Sequence, residues 1–118
     1  MPYVDMFAVP ITPSNKDAFI AFSKTAHEVI MDCGAVSFMD AWDDDVPEGE
    51  LTSFRKAVHA DKDEVVAAGW IIWPDRATRD AGFEKMMGDP RMDNDKNPMP
   101  FDGKRMIFAG FSPVGVTP

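Results

Sequence analysis

The chain is poor in several residue types on which protein chemistry often rests. It has a single cysteine, Cys33, which excludes an internal disulfide and any multi-cysteine zinc centre. It has two histidines, His27 and His59. Ser23 and Met31 stand four residues either side of His27, which therefore lacks a metal-ligating neighbour at that spacing; His59 adjoins a polar turn, where an exposed histidine without chemistry is the ordinary outcome, and haem is disfavoured. Basic residues are also few: 12 Lys and Arg stand against 20 Asp and Glu, a net charge of −8. Nucleic acid and anionic membrane surfaces both require a positive field, so neither is an expected partner, and an anionic ligand would need a local basic pocket. No apolar run approaches the roughly 20 residues that span a bilayer. No basic-then-apolar leader is visible, so the expected location is cytoplasmic. No cofactor and no metal are expected.

What the chain does have is core material and clear periodicity. With 118 residues at 45% apolar content, it suits one domain over residues 1–118 rather than two independent cores. The run from Tyr3 to Val9 alternates as a strand, with Tyr3, Asp5, Phe7 and Val9 on one face, and Pro10 predicts its end. Ser14 is placed to cap a helix whose apolar positions Phe19, Phe22, Ala26, Val29, Ile30 and Cys33 recur at three- and four-residue steps. Gly34 supplies the stop. Cys33 on that stripe reads as a small buried hydrophobe.

Ala35–Trp42 reads as a second strand with Val36, Phe38, Asp40 and Trp42 on one face. Residues 43–50 carry acids and a Pro-x-Gly turn and read as a solvated loop. Residues 51–60 fit a short helix or an extended segment. Val65–Trp73, β-branched and aromatic, predicts a central strand ending at Pro74, with Gly69 marking a bulge or a close approach. A helix follows with Asp75 as cap and Gly88 as stop, and Gly82 inside it permits close packing on the sheet.

The last third is stiff. Pro90, Pro98 and Pro100 fix φ and remove donors, and Asp102-Gly103 supplies a turn before a closing strand. Its alternation is expected to put Arg105, Ile107, Ala109 and Phe111 on one face and Lys104, Met106 and Phe108 on the other. Asp93-x-Asp95-x-Asn97 opens like a calcium loop, but Pro98 stands where the sharp-turn glycine belongs and Lys104 where the bidentate glutamate belongs.

This order, βαββαβ, is that of an α+β, ferredoxin-like sandwich: an antiparallel sheet with two helices on one face. Both faces of the strands are apolar, so the second sheet face is expected to bury against another copy of the chain, giving a homodimer.

Several blocks carry a family resemblance: Tyr3-Val4-Asp5, Trp42-Asp43-Asp44-Asp45-Val46-Pro47-x-Gly49, Phe54-Arg55-x-Ala57-Val58, Arg79-Asp80, Lys85-Met86-Met87-x-Asp89-Pro90-Arg91-Met92 and Met99 through Ile107. They resemble the YbaA-like family of uncharacterised bacterial proteins, over nearly the whole chain. The resemblance implies a dimeric α+β barrel in a superfamily that includes cofactor-poor monooxygenases, haem-degrading enzymes, and dehalogenase-like and decarboxylase-like proteins. It implies no particular reaction.

Two isolated strand carboxylates are the chemical candidates. Asp5 lies between Tyr3 and Phe7, and Asp40 between Phe38 and Trp42, where an apolar setting would raise a carboxyl pKa toward acid–base use. Arg105, or Lys104, is the expected compensating charge. Asp5, Asp40 and Arg105 are therefore the catalytic candidates, and Tyr3, Phe7, Trp42, Trp70 and Phe108 the candidate walls of a small-molecule pocket. Three alternatives stand at this level: a cofactor-independent enzyme, a non-catalytic metabolite-binding module, and a structural dimer in which the acids form ion pairs.

Overall fold

Strand runs and helix stripes alternate along the sequence, and the computed structural model, which describes residues 1–116, turns that alternation into one four-stranded sheet. β1 (Tyr3–Ile11), β2 (Ser37–Trp42), β3 (Val65–Trp73) and β4 (Ile107–Phe111) stand in the order β2-β3-β1-β4. Every neighbouring pair is antiparallel. This is the ferredoxin-like α+β arrangement that the element order predicts.

Register matters more here than strand identity. Asp40 pairs with Gly69, Gly69 with Phe7, and Phe7 with Phe108, so one row crosses all four strands. Period-two alternation then places Val9, Ile11, Ala67, Ile71 and Trp73 on the same face as that row, and these are buried.

Helices α1 (Lys16–Asp32) and α3 (Arg76–Met87) cover this face. α1 buries Phe19, Ala26, Val29 and Ile30, the stripe its periodicity predicts. Gly34 follows it with φ +113°, a left-handed stop that side chains resist. The helix start differs from expectation. A 3₁₀ turn at Pro13–Asn15 precedes α1, and Ser14 makes no capping bond. Asn15 Nδ2 instead donates to the Pro100 carbonyl at 3.0 Å, tying the helix entry to the proline-rich loop. α3 begins at Asp75, whose carboxylate accepts the Thr78 N–H at 2.7 Å. Gly82 is the close contact between α3 and the sheet: a Cβ there would lie 2.7 Å from Trp73 Cζ3 and 2.9 Å from the Cys33 carbonyl oxygen.

The ambiguous segment forms a short helix, α2 (Phe54–Ala57), because the Ser53 side chain accepts the Lys56 N–H at 3.0 Å. Beyond it Val58 and Ala60, with Val46, pack on Ala8, Val66 and Ala68. The excursion between β2 and β3 therefore covers one end of the second sheet face. The rest of that face carries Met6, Met39, Trp70, Ile107 and Phe111, each between 40% and 49% exposed.

The closing strand is shorter than its alternation implies. Gly103–Arg105 is a 3₁₀ turn capped by Asp102, and β4 begins at Ile107, pairing with β1 alone at the sheet edge. The turn breaks the expected phase, so Arg105 does not share a strand face with Ile107.

Candidate functional site

Asp5 is fully buried, as its strand position predicts, but it is not a free acid. Trp73 Nε1 donates to Oδ2 at 2.9 Å, Arg79 Nε to Oδ2 at 3.2 Å and Arg79 Nη2 to Oδ1 at 2.9 Å. Register positions Trp73 beside β1, and α3 delivers Arg79 from above, one helical turn before Phe83. The guanidinium carbon lies 5.2 Å from the Tyr3 ring centroid and 4.7 Å from that of Phe83, and the two rings shield its planar faces. A forked cation and an indole N–H thus engage both carboxylate oxygens, and the compensating charge is Arg79, not Arg105.

Arg105 is held elsewhere. Its Nη1 and Nη2 donate to Glu64 Oε1 and Oε2 at 2.7 and 2.9 Å, and its Nε to Asp102 Oδ2 at 2.9 Å. Nη1 also reaches the His59 carbonyl at 3.0 Å. This clamp fastens the turn before β4 to the loop before β3, and holds the Glu64 carboxyl below its usual range. The guanidinium is committed to that clamp and does not bring charge to Asp5 or Asp40. Lys104 does not replace it; it lies exposed in the same turn.

Asp40 is the candidate that the fold leaves chemically open. Its Oδ2 accepts the Ser23 hydroxyl at 2.6 Å, and among the described residues it forms no ion pair. Burial pushes its carboxyl above the usual value, and the Ser23 bond pulls it partly back. A Cβ on Gly69 would lie 3.0 Å from Asp40 Oδ1 and 2.6 Å from Phe7 Cζ, so the absent side chain makes the room that both groups occupy.

That carboxyl stands on the wall of a cavity of about 260 Å³ between the sheet and helices α1 and α3. Phe7, Phe38, Ile71 and Phe108 line it from the sheet, Phe22, Ala26 and Ile30 from α1, and Phe83 and Met86 from α3. The stiff loop borders it with Met92, Met99, Phe101 and Met106, and it stays open to solvent where Met99 and Phe108 are half exposed. Among the described residues, Asp40 is the only ionisable group on this lining. Apolar walls with one polar group are the usual make-up of a small-ligand site.

A second depression, a groove of about 510 Å³ between α1 and β2, lies on the other side of the same carboxyl. It is lined by Lys16, Ile20, Ser23, Lys24, His27, Glu28 and Trp42, and it shares Phe19 and Asp40 with the inner cavity.

The five expected pocket walls are therefore divided. Phe7 and Phe108 line the inner cavity and Trp42 lines the groove. Tyr3 and Trp70 line neither; they border a separate depression of about 290 Å³ with Met6, Ile72 and Pro113. Sequence reasoning missed Ser23 and the three loop side chains Met92, Met99 and Phe101. Ser23 had a legible signal: it is a hydroxyl one step from Phe22, on the stripe that must face the sheet.

The comparisons bear on ancestry and fold. A family described as "Protein of unknown function (DUF1428)" matches residues 2–103. The "Uncharacterized protein YbaA" of Escherichia coli (strain K12) is 43% identical over 114 residues, which cover 97% of each chain. Among solved structures, an uncharacterized NIPSNAP domain protein from Burkholderia xenovorans superposes with a TM-score of 0.61 at 15% identity, covering 98% of each chain. A dimeric ferredoxin-like protein from an uncultured marine organism superposes with a TM-score of 0.51 at 15% identity, over 94% of this chain and 92% of the other. At such identities these likenesses concern the fold alone. The sequence matches cover nearly the whole chain, and the protein belongs to the DUF1428 family, together with YbaA.

Proposed function

We propose that the protein binds a small, largely apolar molecule in the cavity between its sheet and helices α1 and α3, with Asp40 as the single group that meets the ligand's polar part. The observation that carries this reading is the 260 Å³ apolar lining interrupted by one carboxyl. The volume lies just below that of ordinary ligand sites, about 300–1,000 Å³, and suits a small ligand of one or two rings. Calorimetric titration with naphthalenemethanol tests it. Saturable binding is expected in the natural chain and loss of roughly tenfold or more in Ala26→Leu, whose added atoms enter the cavity. Equal affinity in both proteins would refute the location.

A catalytic reading of the same site is favoured by one specific observation: burial raises the Asp40 carboxyl pKa toward the range useful for proton transfer. In that reading Asp40 takes or gives the proton and Ser23 orients it, without a cofactor. A loss of turnover in Asp40→Asn far larger than its loss of ligand affinity separates it from simple binding.

The protein is further proposed to act as a homodimer through the open sheet face. Exposed Met6, Met39, Trp70, Ile107 and Phe111 form an apolar surface on one side of the sheet, and large surfaces of this kind mark association sites. The ferredoxin-like structural neighbour described as dimeric is consistent with this.

A further inference from the structure

Resting on the cavity reading above, we infer that the ligand is a lipophilic amine: its apolar body fills the inner cavity and its ammonium group sits at the neck, between Asp40 and the groove. The neck is defined by the two side chains common to both spaces, Phe19 and Asp40. A molecule whose body lies among Phe7, Phe38 and Ile71 therefore presents its outermost polar atom to the Asp40 carboxyl.

The sign of that polar group follows from which nearby charge is least screened. Asp40 is partly withdrawn from water, its only side-chain partner is the neutral Ser23 hydroxyl, and no cation of the chain pairs with it among the described residues. A carboxylate in that state lacks the compensation that buried charges ordinarily have. The lysines of the groove, Lys16 and Lys24, are exposed, so solvent and salt weaken their opposing effect, as they weaken that of Glu28. The net charge of −8 adds a long-range field that favours cations. The groove also accepts an ammonium already: Lys16 Nζ lies 5.6 Å from the centroid of the Trp42 ring. A ligand ammonium at the neck would meet the Asp40 carboxylate, which no lysine of the chain pairs with among the described residues.

The test compares three probes with one apolar body, naphthylmethylamine, naphthalenemethanol and naphthoate, titrated calorimetrically at neutral pH. The amine is expected to bind at least about tenfold more tightly than the alcohol, the lower end of what close charge pairs contribute, and naphthoate most weakly. In Asp40→Asn the amine's lead over the alcohol is expected to disappear, because both then meet the same neutral amide. Equal binding of amine and alcohol by the natural chain, or tighter binding of naphthoate, overturns the amine assignment while leaving the cavity reading intact. Binding of none of the three overturns the cavity reading, and the amine assignment with it.

Discussion

The Ser23 hydroxyl donates to Asp40 Oδ2 at 2.6 Å, joining the middle of α1 to the edge strand β2. The bond holds the one carboxyl of the apolar cavity in place and favours its ionised form, against the burial that disfavours it.

Removing the hydroxyl removes the opposing influence. In Ser23→Ala the Asp40 pKa is expected to rise further, read from the carboxyl carbon shift in an NMR titration. The other charged or titratable groups along this groove, Lys16, Lys24, His27 and Glu28, are unchanged by the substitution. An unchanged or lowered pKa would show that Ser23 does not tune the acid.

The same shift has a stability consequence. A carboxyl whose folded-state pKa is raised binds its proton more tightly in the folded state, so its contribution is fully present below the unfolded pKa, about 3.9, and is lost as pH rises through the raised folded value. Asp40→Asn is therefore expected to gain stability relative to the natural chain as pH rises from that acid limit toward neutrality. Urea midpoints across pH check this, and a difference independent of pH would contradict it.

Asp5 and Arg79 should behave differently, because their charges are paired. Arg79→Met leaves a fully buried carboxylate with only the Trp73 indole as partner, and a loss of about 3–5 kcal/mol is expected. Chemical denaturation measures it. A loss below about 1 kcal/mol would mean the pair resembles an exposed surface bridge.

Gly82 tests the packing of α3. Alanine gains up to about 1 kcal/mol of helix propensity, but its Cβ meets Trp73, whose ring is fixed by the bond to Asp5, and the Cys33 carbonyl. Overpacking of this kind costs about 1–3 kcal/mol. Gly82→Ala is expected to lower the urea midpoint; a raised one would show that the contact relaxes freely.

Trp70→Lys places a charge in the middle of the open sheet face without touching the helix side. Sedimentation is expected to show a dimer for the natural chain and a monomer for the variant. A monomeric natural chain at micromolar concentration would remove the dimer proposal.

Much of the fold was legible because local signals agreed. β3 ends at Trp73, before Pro74, and α3 runs from the Asp75 cap to Gly88, since cap, stop and periodicity all point the same way. The closing strand was misread where they disagreed: alternation continues through Lys104 and Arg105, yet the Asp102 cap turns those residues into a 3₁₀ element. Charge pairing was the least legible. Asp5 and Arg79 are 74 residues apart, and nothing local to Arg79 distinguishes it from Arg105. The cavity's far wall is illegible for a related reason: Met92, Met99 and Phe101 come from a loop without periodicity, whose place is set by long-range contacts, Asn15 to Pro100, Arg91 to Asp32 and the Arg105 clamp among them.

The cavity carries its own reporters, since four of the nine methionines line it. With methyl-labelled methionine and naphthalenemethanol added in an NMR titration, the Met86, Met92, Met99 and Met106 methyls are expected to shift together and saturate, while Met6 and Met39 on the open sheet face stay in place. Shifts confined to Met6 and Met39, or no saturable shift in the cavity methyls, would contradict the assignment of this cavity as the ligand site.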